Sequence, residues 1–220
     1  MRSLFKAFTS VAALLLVVTG GARAQVAYNT GAAANVNGSF QDSKWQVSVD
    51  GGASWFQAYQ VQGPPSPPWQ ANTSLYSWIS ATTSGSGGGG SYLFRSFFDL
   101  TGFDPLSASM SFQCAVDNET PFGGYFSLNG GMYGGVCGSG NSTGFLFAGM
   151  QTISSGFITG LNEIRFTVVG DSQTDGLVVG NTHLAAGSVT VPEPASMVLV
   201  ATGLIGVLGM ARRRRTARGA

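Results

Sequence analysis

Several patterns in the chain have the residue types of a reactive or binding centre. Gly140-Asn141-Ser142-Thr143-Gly144 fits G-x-S-x-G, in which a serine on a sharp strand-to-helix turn becomes a nucleophile. Asp171 or Asp175 and then His183 follow in the order hydrolases use. That chemistry needs a helix after the serine, and none is predicted beyond Gly144, so Ser142 reads as a loop residue. Gly85-Ser86-Gly87-Gly88-Gly89-Gly90 fits G-x-G-x-x-G but leads into an aromatic run. Without a helix N-terminus it offers no phosphate cradle. A glycosidase needs two carboxylates about 5 to 10 Å apart, and no spacing singles out such a pair. One histidine excludes multi-His metal sites, and two cysteines exclude Cys-rich zinc modules. Asp117, Glu119, Asp171 and Asp175 could give a structural calcium its hard oxygens, although no EF-hand or repeat spacing is present. No other cofactor, and no catalytic residue, is expected.

A sugar site needs an aromatic platform and a few convergent polar groups. Trp69, after the Pro64–Pro68 run, and Tyr133, among glycines, are the candidate platforms. Asp117, Asn118 and Asn129 follow predicted strands, where rim loops lie. The same residues also fit a plainer account, with Trp69 sealing an edge of the core and Asp117-Asn118 making a turn.

Strands must position all of these. Trp45 and Val47 (with Val49) alternate with Lys44, Gln46 and Ser48. Met110, Phe112, Cys114 and Val116 alternate with Ser109, Ser111, Gln113 and Ala115, and Ile164, Phe166 and Val168 with Glu163, Arg165 and Thr167. This period of two marks strands with one buried and one wetted face. Further strands are predicted at 55–61, 74–80, 92–100, 125–128, 144–147 and 184–191. Asp50-Gly51-Gly52, Asp104-Pro105, Asn129-Gly130 and Asp175-Gly176 supply turns between them. No 3.6-residue period is sustained, so the body reads as an all-β antiparallel sandwich.

Charge divides the chain. From Gln25 to Val191 only Lys44, Arg95 and Arg165 stand against nine carboxylates, a net charge of −6 that argues against nucleic-acid partners. Arg2 and Lys6 precede the apolar run Val11–Val18, and Ala22-Arg23-Ala24 is a small-x-small cleavage site, so residues 1–24 read as a signal peptide. Ala195–Ala211 holds 17 uncharged residues, about 25 Å as a helix, just adequate for a bilayer core. Arg212, Arg213, Arg214 and Arg215 follow at once and should stay cytoplasmic. Pro192-Glu193-Pro194 holds its glutamate extended outside the membrane. Export brings Cys114 and Cys137 into an oxidising compartment, where a disulfide is favoured over two buried thiols.

The tail from Val191 to the arginines resembles the PEP-CTERM sorting signal of Gram-negative exported proteins. That resemblance implies signal peptidase and export machinery as partners, then an exosortase that removes the tail and releases or attaches the body at the surface. Ser48-Val49-Asp50-Gly51-Gly52-Ala53-Ser54-Trp55 is similar to the Asp-box of β-propellers; with a single copy it implies a hairpin turn, not a sialidase. Trp78-Ile79, Phe94–Asp104, Asp117-Asn118, Leu128-Asn129-Gly130 and Gly160-Leu161-Asn162 resemble in their order the galactose-binding-like jelly-roll domain, whose members include sugar binders, adhesion modules and structural units. The expected organisation is a signal helix at 1–24, a jelly-roll sandwich at 25–191, and a sorting tail with a transmembrane helix at 192–220. A structural, adhesive or glycan-binding role at the envelope is expected, with extracellular polysaccharide as candidate ligand. The rivals are a glycan-active hydrolase and an unprocessed inner-membrane protein.

Overall fold

A computed structural model of the chain describes residues 26–31, 39–62, 69–85, 90–117, 125–138, 145–170, 174–189 and 202–204. Two compact units divide it, Met1–Ser188 and Val189–Ala220. The first is all-β. Among the described residues ten strands form it in chain order: β1 (Gln41–Ser48), β2 (Phe56–Gln60), β3 (Ile79–Ser80), β4 (Gly90–Asp99), β5 (Ser109–Val116), β6 (Tyr125–Leu128), β7 (Gly131–Val136), β8 (Gln151–Ile153), β9 (Leu161–Gly170) and β10 (Leu177–Ala185).

All join in one antiparallel sheet, in the order β7-β6-β9-β4-β1-β2-β3-β10-β5-β8. Its spine is the β4–β9 pair, in register without a break from Gly90↔Gly170 to Asp99↔Leu161. Phe94, Phe98, Ile164, Phe166 and Val168 point inward from that pair, and the residues between them point out. The sheet coils until its two halves face each other. Phe112 of β5 meets Phe126 of β6 at 5.0 Å and Phe166 of β9 at 5.5 Å, both edge-on, the geometry that aromatic quadrupoles prefer. Trp45 approaches Phe166 at 5.7 Å. Closure is nearly complete, because Gly138, just beyond β7, bridges Ala115 of β5 in parallel. The disulfide Cys114–Cys137 fixes the same seam, with Cα atoms 4.8 Å apart. The strands thus lie face to face within a single wound sheet, not in two separately hydrogen-bonded ones.

The turn chemistry holds where it was specific. Asn129 and Gly130 have φ of 51° and 82°, the pair of left-handed conformations a two-residue hairpin between β6 and β7 requires. Elsewhere the alternation misled. Of the strand expected at 74–80, only Ile79-Ser80 forms, and residues 145–147 form no strand. The final strand lies at Leu177–Ala185, not at 184–191. Its first half is Leu-Val-Val, buried on both faces: Leu177 and Val179 enter the main core, while Val178 enters a second cluster with Val61, Trp78 and Ala115. A strand covered on both sides shows no alternation. At Asn181 (φ 54°) the register slips, and beyond it β10 alternates between half-buried and exposed residues. Val49, expected on the buried face, lies past the end of β1 and is exposed.

In the second unit, residues 202–204 are helical. Among the described residues, no helix is long and apolar enough to cross a membrane. The signal segment 1–24 with Ala22 and Ala24, Pro192-Glu193-Pro194, and Arg212 to Arg215 lie outside the described residues, as does the span 195–211 apart from that short helical stretch.

Candidate functional site

The predicted site residues fall into two groups. Around Gly176, Trp69 is half-buried, its ring 4.2 Å from Trp78 and 6.1 Å from Phe145. The Trp78 indole N–H donates to the Gln70 carbonyl at 2.7 Å, which pins the residue beside Trp69 to the sheet. Tyr76 and Phe147, edge-on at 5.1 Å, complete this aromatic cover over Val178. Asp117 is buried nearby, and its N–H donates to the Gly176 carbonyl at 3.1 Å. Asp175 is buried immediately before Gly176. Of the four carboxylates considered for calcium, those two are brought together, while Glu119 and Asp171 lie outside the described residues. Among the described residues no cluster of three or more potential metal ligands occurs.

The second group surrounds Gly156. Tyr133 sits within β7, stacked on Phe126, and its hydroxyl donates to the Ser155 carbonyl at 2.5 Å. Asn129 Nδ2 donates to the Gly156 carbonyl at 2.9 Å and to Asn162 Oδ1 at 2.8 Å, and its Oδ1 accepts from the Glu163 N–H at 2.9 Å. Its amide is therefore committed to holding the hairpin against the 156–162 loop. Asn118 and Ser142 lie outside the described residues. His183 is exposed on β10, opposite Ser111.

Most of the described carboxylates serve local structure. Buried Asp42 accepts from the N–H groups of Gly31 at 2.6 Å and Lys44 at 2.8 Å; burial nevertheless pushes its carboxyl above the ordinary aspartate value. Asp50 organises the Asp-box turn between β1 and β2. It accepts from Ser54 Oγ at 2.5 Å, the Ser54 N–H at 2.9 Å and Ser48 Oγ at 2.7 Å, and these bonds hold its carboxyl well below the usual range. Asp99 is lowered by the Thr101 hydroxyl and N–H, and Asp104 caps the 3₁₀ turn Pro105–Ser107.

One feature of the outer face was not singled out from the sequence. Arg95 on β4 and Arg165 on β9 stand directly opposite each other, in a row that continues to Gln46 on β1 and Ser127 on β6. Trp55, the last residue of the Asp-box, lies under them: the guanidinium carbons of Arg95 and Arg165 stand 3.9 and 5.3 Å from its ring centre. Glu163 bridges the two arginines, at 3.5 Å from Arg95 and 2.5 Å from Arg165. Only strand register brings these residues together, so no local spacing could have announced them.

A small pocket of about 10 Å³ lies between the sheet halves, lined by Ala27, Tyr28, Trp45, Phe112 and Phe166 among others. That is room for about one water, far below the roughly 300 to 1,000 Å³ typical of small-molecule sites.

No curated protein and no solved structure matches this chain. Residues 190–215 match the profile of the PEP-CTERM protein-sorting motif. The chain thus carries a PEP-CTERM tail, a membrane-anchoring sorting signal that marks an exported protein of Gram-negative bacteria for handling by exosortase.

Proposed function

We propose that the body is a non-enzymatic, surface- or matrix-directed module with a structural, adhesive or glycan-binding role, released or attached once its tail is cut. The observation that carries this reading is the sorting motif at residues 190–215, which follows an all-β body. The occupied state of Asp42, Asp50, Asp99, Asp104 and Glu163 supports it from the side of chemistry, since carboxylates fixed in turns, caps and ion pairs are poorly placed for proton transfer. The face-to-face strands also fit the galactose-binding-like jelly roll as the kind of fold. Mass measurement of the mature chain from the surface fraction tests the sorting half. A chain beginning at Gln25 and lacking Arg212 to Arg215 is expected; a chain that retains those arginines overturns it.

A second reading, a hydrolase with a carboxylate pair, draws on the neighbouring buried residues Asp117 and Asp175. Release of reducing sugar from any glycan, abolished by Asp175→Asn with the fold intact, would establish that reading instead.

A further inference from the structure

Like charges directly opposite each other on adjacent strands are destabilising. Arg95 and Arg165 are such a pair, and they are two of the only three cations between Gln25 and Val191. The third, Lys44, is exposed two residues before Gln46 on β1, so all three belong to one region of the outer sheet. Elsewhere that segment carries carboxylates. A polyanion is repelled by most of this surface and meets positive charge on this face alone among the described residues.

The face is also shaped in advance. The Arg95 guanidinium carbon sits 3.9 Å from the centre of the Trp55 ring, its Nε donates to Gln46 Oε1 at 2.8 Å, and Phe97 flanks it at 5.0 Å. Arg165 Nε donates to Glu163 at 2.8 Å. Each guanidinium carries five N–H donors, so donors remain on both after these bonds. The Arg165 side chain is 38% exposed. Guanidinium forks match carboxylates bidentately. A row running across four strands suits a linear chain.

We propose that the outer face of β1, β4 and β9 binds a carboxylate-bearing polysaccharide, a polyuronate, with Arg95 and Arg165 as its anchors. Glu163 acts as an internal stand-in for the ligand carboxylate and holds both arginines in place. The proposal rests on the reading of the body as a glycan-associated surface module and names the ligand class and the face.

The test is retention of the full chain, in nonionic detergent, on immobilised polygalacturonate and on neutral dextran. Polygalacturonate should retain it at low salt and lose it near about 0.5 M salt, where exposed charges are screened. Arg165→Gln should weaken retention about tenfold, as loss of a charged hydrogen bond does. Glu163→Gln should strengthen it about threefold, because it removes the competing negative charge. Near-UV circular dichroism of each variant checks the fold, and the gain expected for Glu163→Gln could not come from misfolding. Equal retention on dextran, or retention unchanged in Arg165→Gln, overturns this face while leaving glycan binding in place. Failure on both polymers overturns the proposal, as does binding to phosphatidylglycerol mixed micelles without polygalacturonate binding. The surface-fraction mass measurement judges export separately.

Discussion

Asn162 is fully buried, yet both halves of its amide are used. Oδ1 accepts from the Ile158 N–H at 2.9 Å and from Asn129 Nδ2 at 2.8 Å. Nδ2 donates to the carbonyls of Ile158 and Gly160, each at 2.8 Å. Asn162→Ala removes four hydrogen bonds at once. At a net contribution of about 1 kcal/mol each the loss would be ~4 kcal/mol, but the exposed loop around Ile158 lets water recover part of it, so about 3 kcal/mol is expected. Asn162→Asp is the sharper probe. It keeps an acceptor for the Ile158 N–H but turns the donating edge into carboxylate oxygen facing two carbonyls, so it should be at least as damaging as alanine.

The assay is urea unfolding of the full chain in nonionic detergent, followed by the fluorescence of the buried Trp45 and Trp78. A double-mutant cycle with Asn129→Ala should show coupling of about 1 kcal/mol, because the two amides share a bond. A loss below about 1 kcal/mol for alanine, or an aspartate variant milder than alanine, would refute the bonding scheme.

Two further outcomes follow from the same structure. Replacing Cys114 and Cys137 by serine should cost about 3 kcal/mol, the chain-entropy value for a loop closed across a separation of 23 residues, read as a fall in urea midpoint; an unchanged midpoint contradicts it. Asp50 contributes stability through a carboxyl held below its ordinary value of 3.8, so that contribution is present above that value and is lost as pH falls through the lower folded value. The stability gap between the native chain and Asp50→Asn should therefore be constant near neutrality and close in acid, and a gap that ignores pH would show that the Ser48 and Ser54 bonds do not depend on ionised Asp50.

Where one face of a strand is wet and the other dry, the sequence was enough. Tyr125–Leu128 is found where a strand was expected, and Met110 to Cys114 and Ile164 to Val168 face as expected, whereas Ala115, expected on the wet face, is buried in the cluster with Val61, Trp78 and Val178. Legibility failed where both faces are dry. Leu177-Val178-Val179 has no polar alternation because the aromatic cover of Trp69, Tyr76, Phe145 and Phe147 lies over the outer side of β10. That cover also explains why 74–78 and 145–147 form no strand. Those segments carry aromatics that pack over the sheet, and aromatic content alone does not separate a strand from a loop that lies on one.

The candidate site failed to show itself for a different reason. Arg95 and Arg165 are 70 positions apart in sequence and Trp55 lies 40 positions before Arg95, so neither spacing nor composition relates them. What relates them is the β4–β9 register, and a slip of one residue would send one arginine into the core. The dry face excludes that slip: Phe94, Phe98, Ile164 and Phe166 can be buried together only in the observed register or one shifted by two. Burial of the inner face thus sets which charges meet on the outer one. The composition did carry a trace of this, three lone cations in a body of −6, but charge counting gives the total and leaves its location to the fold.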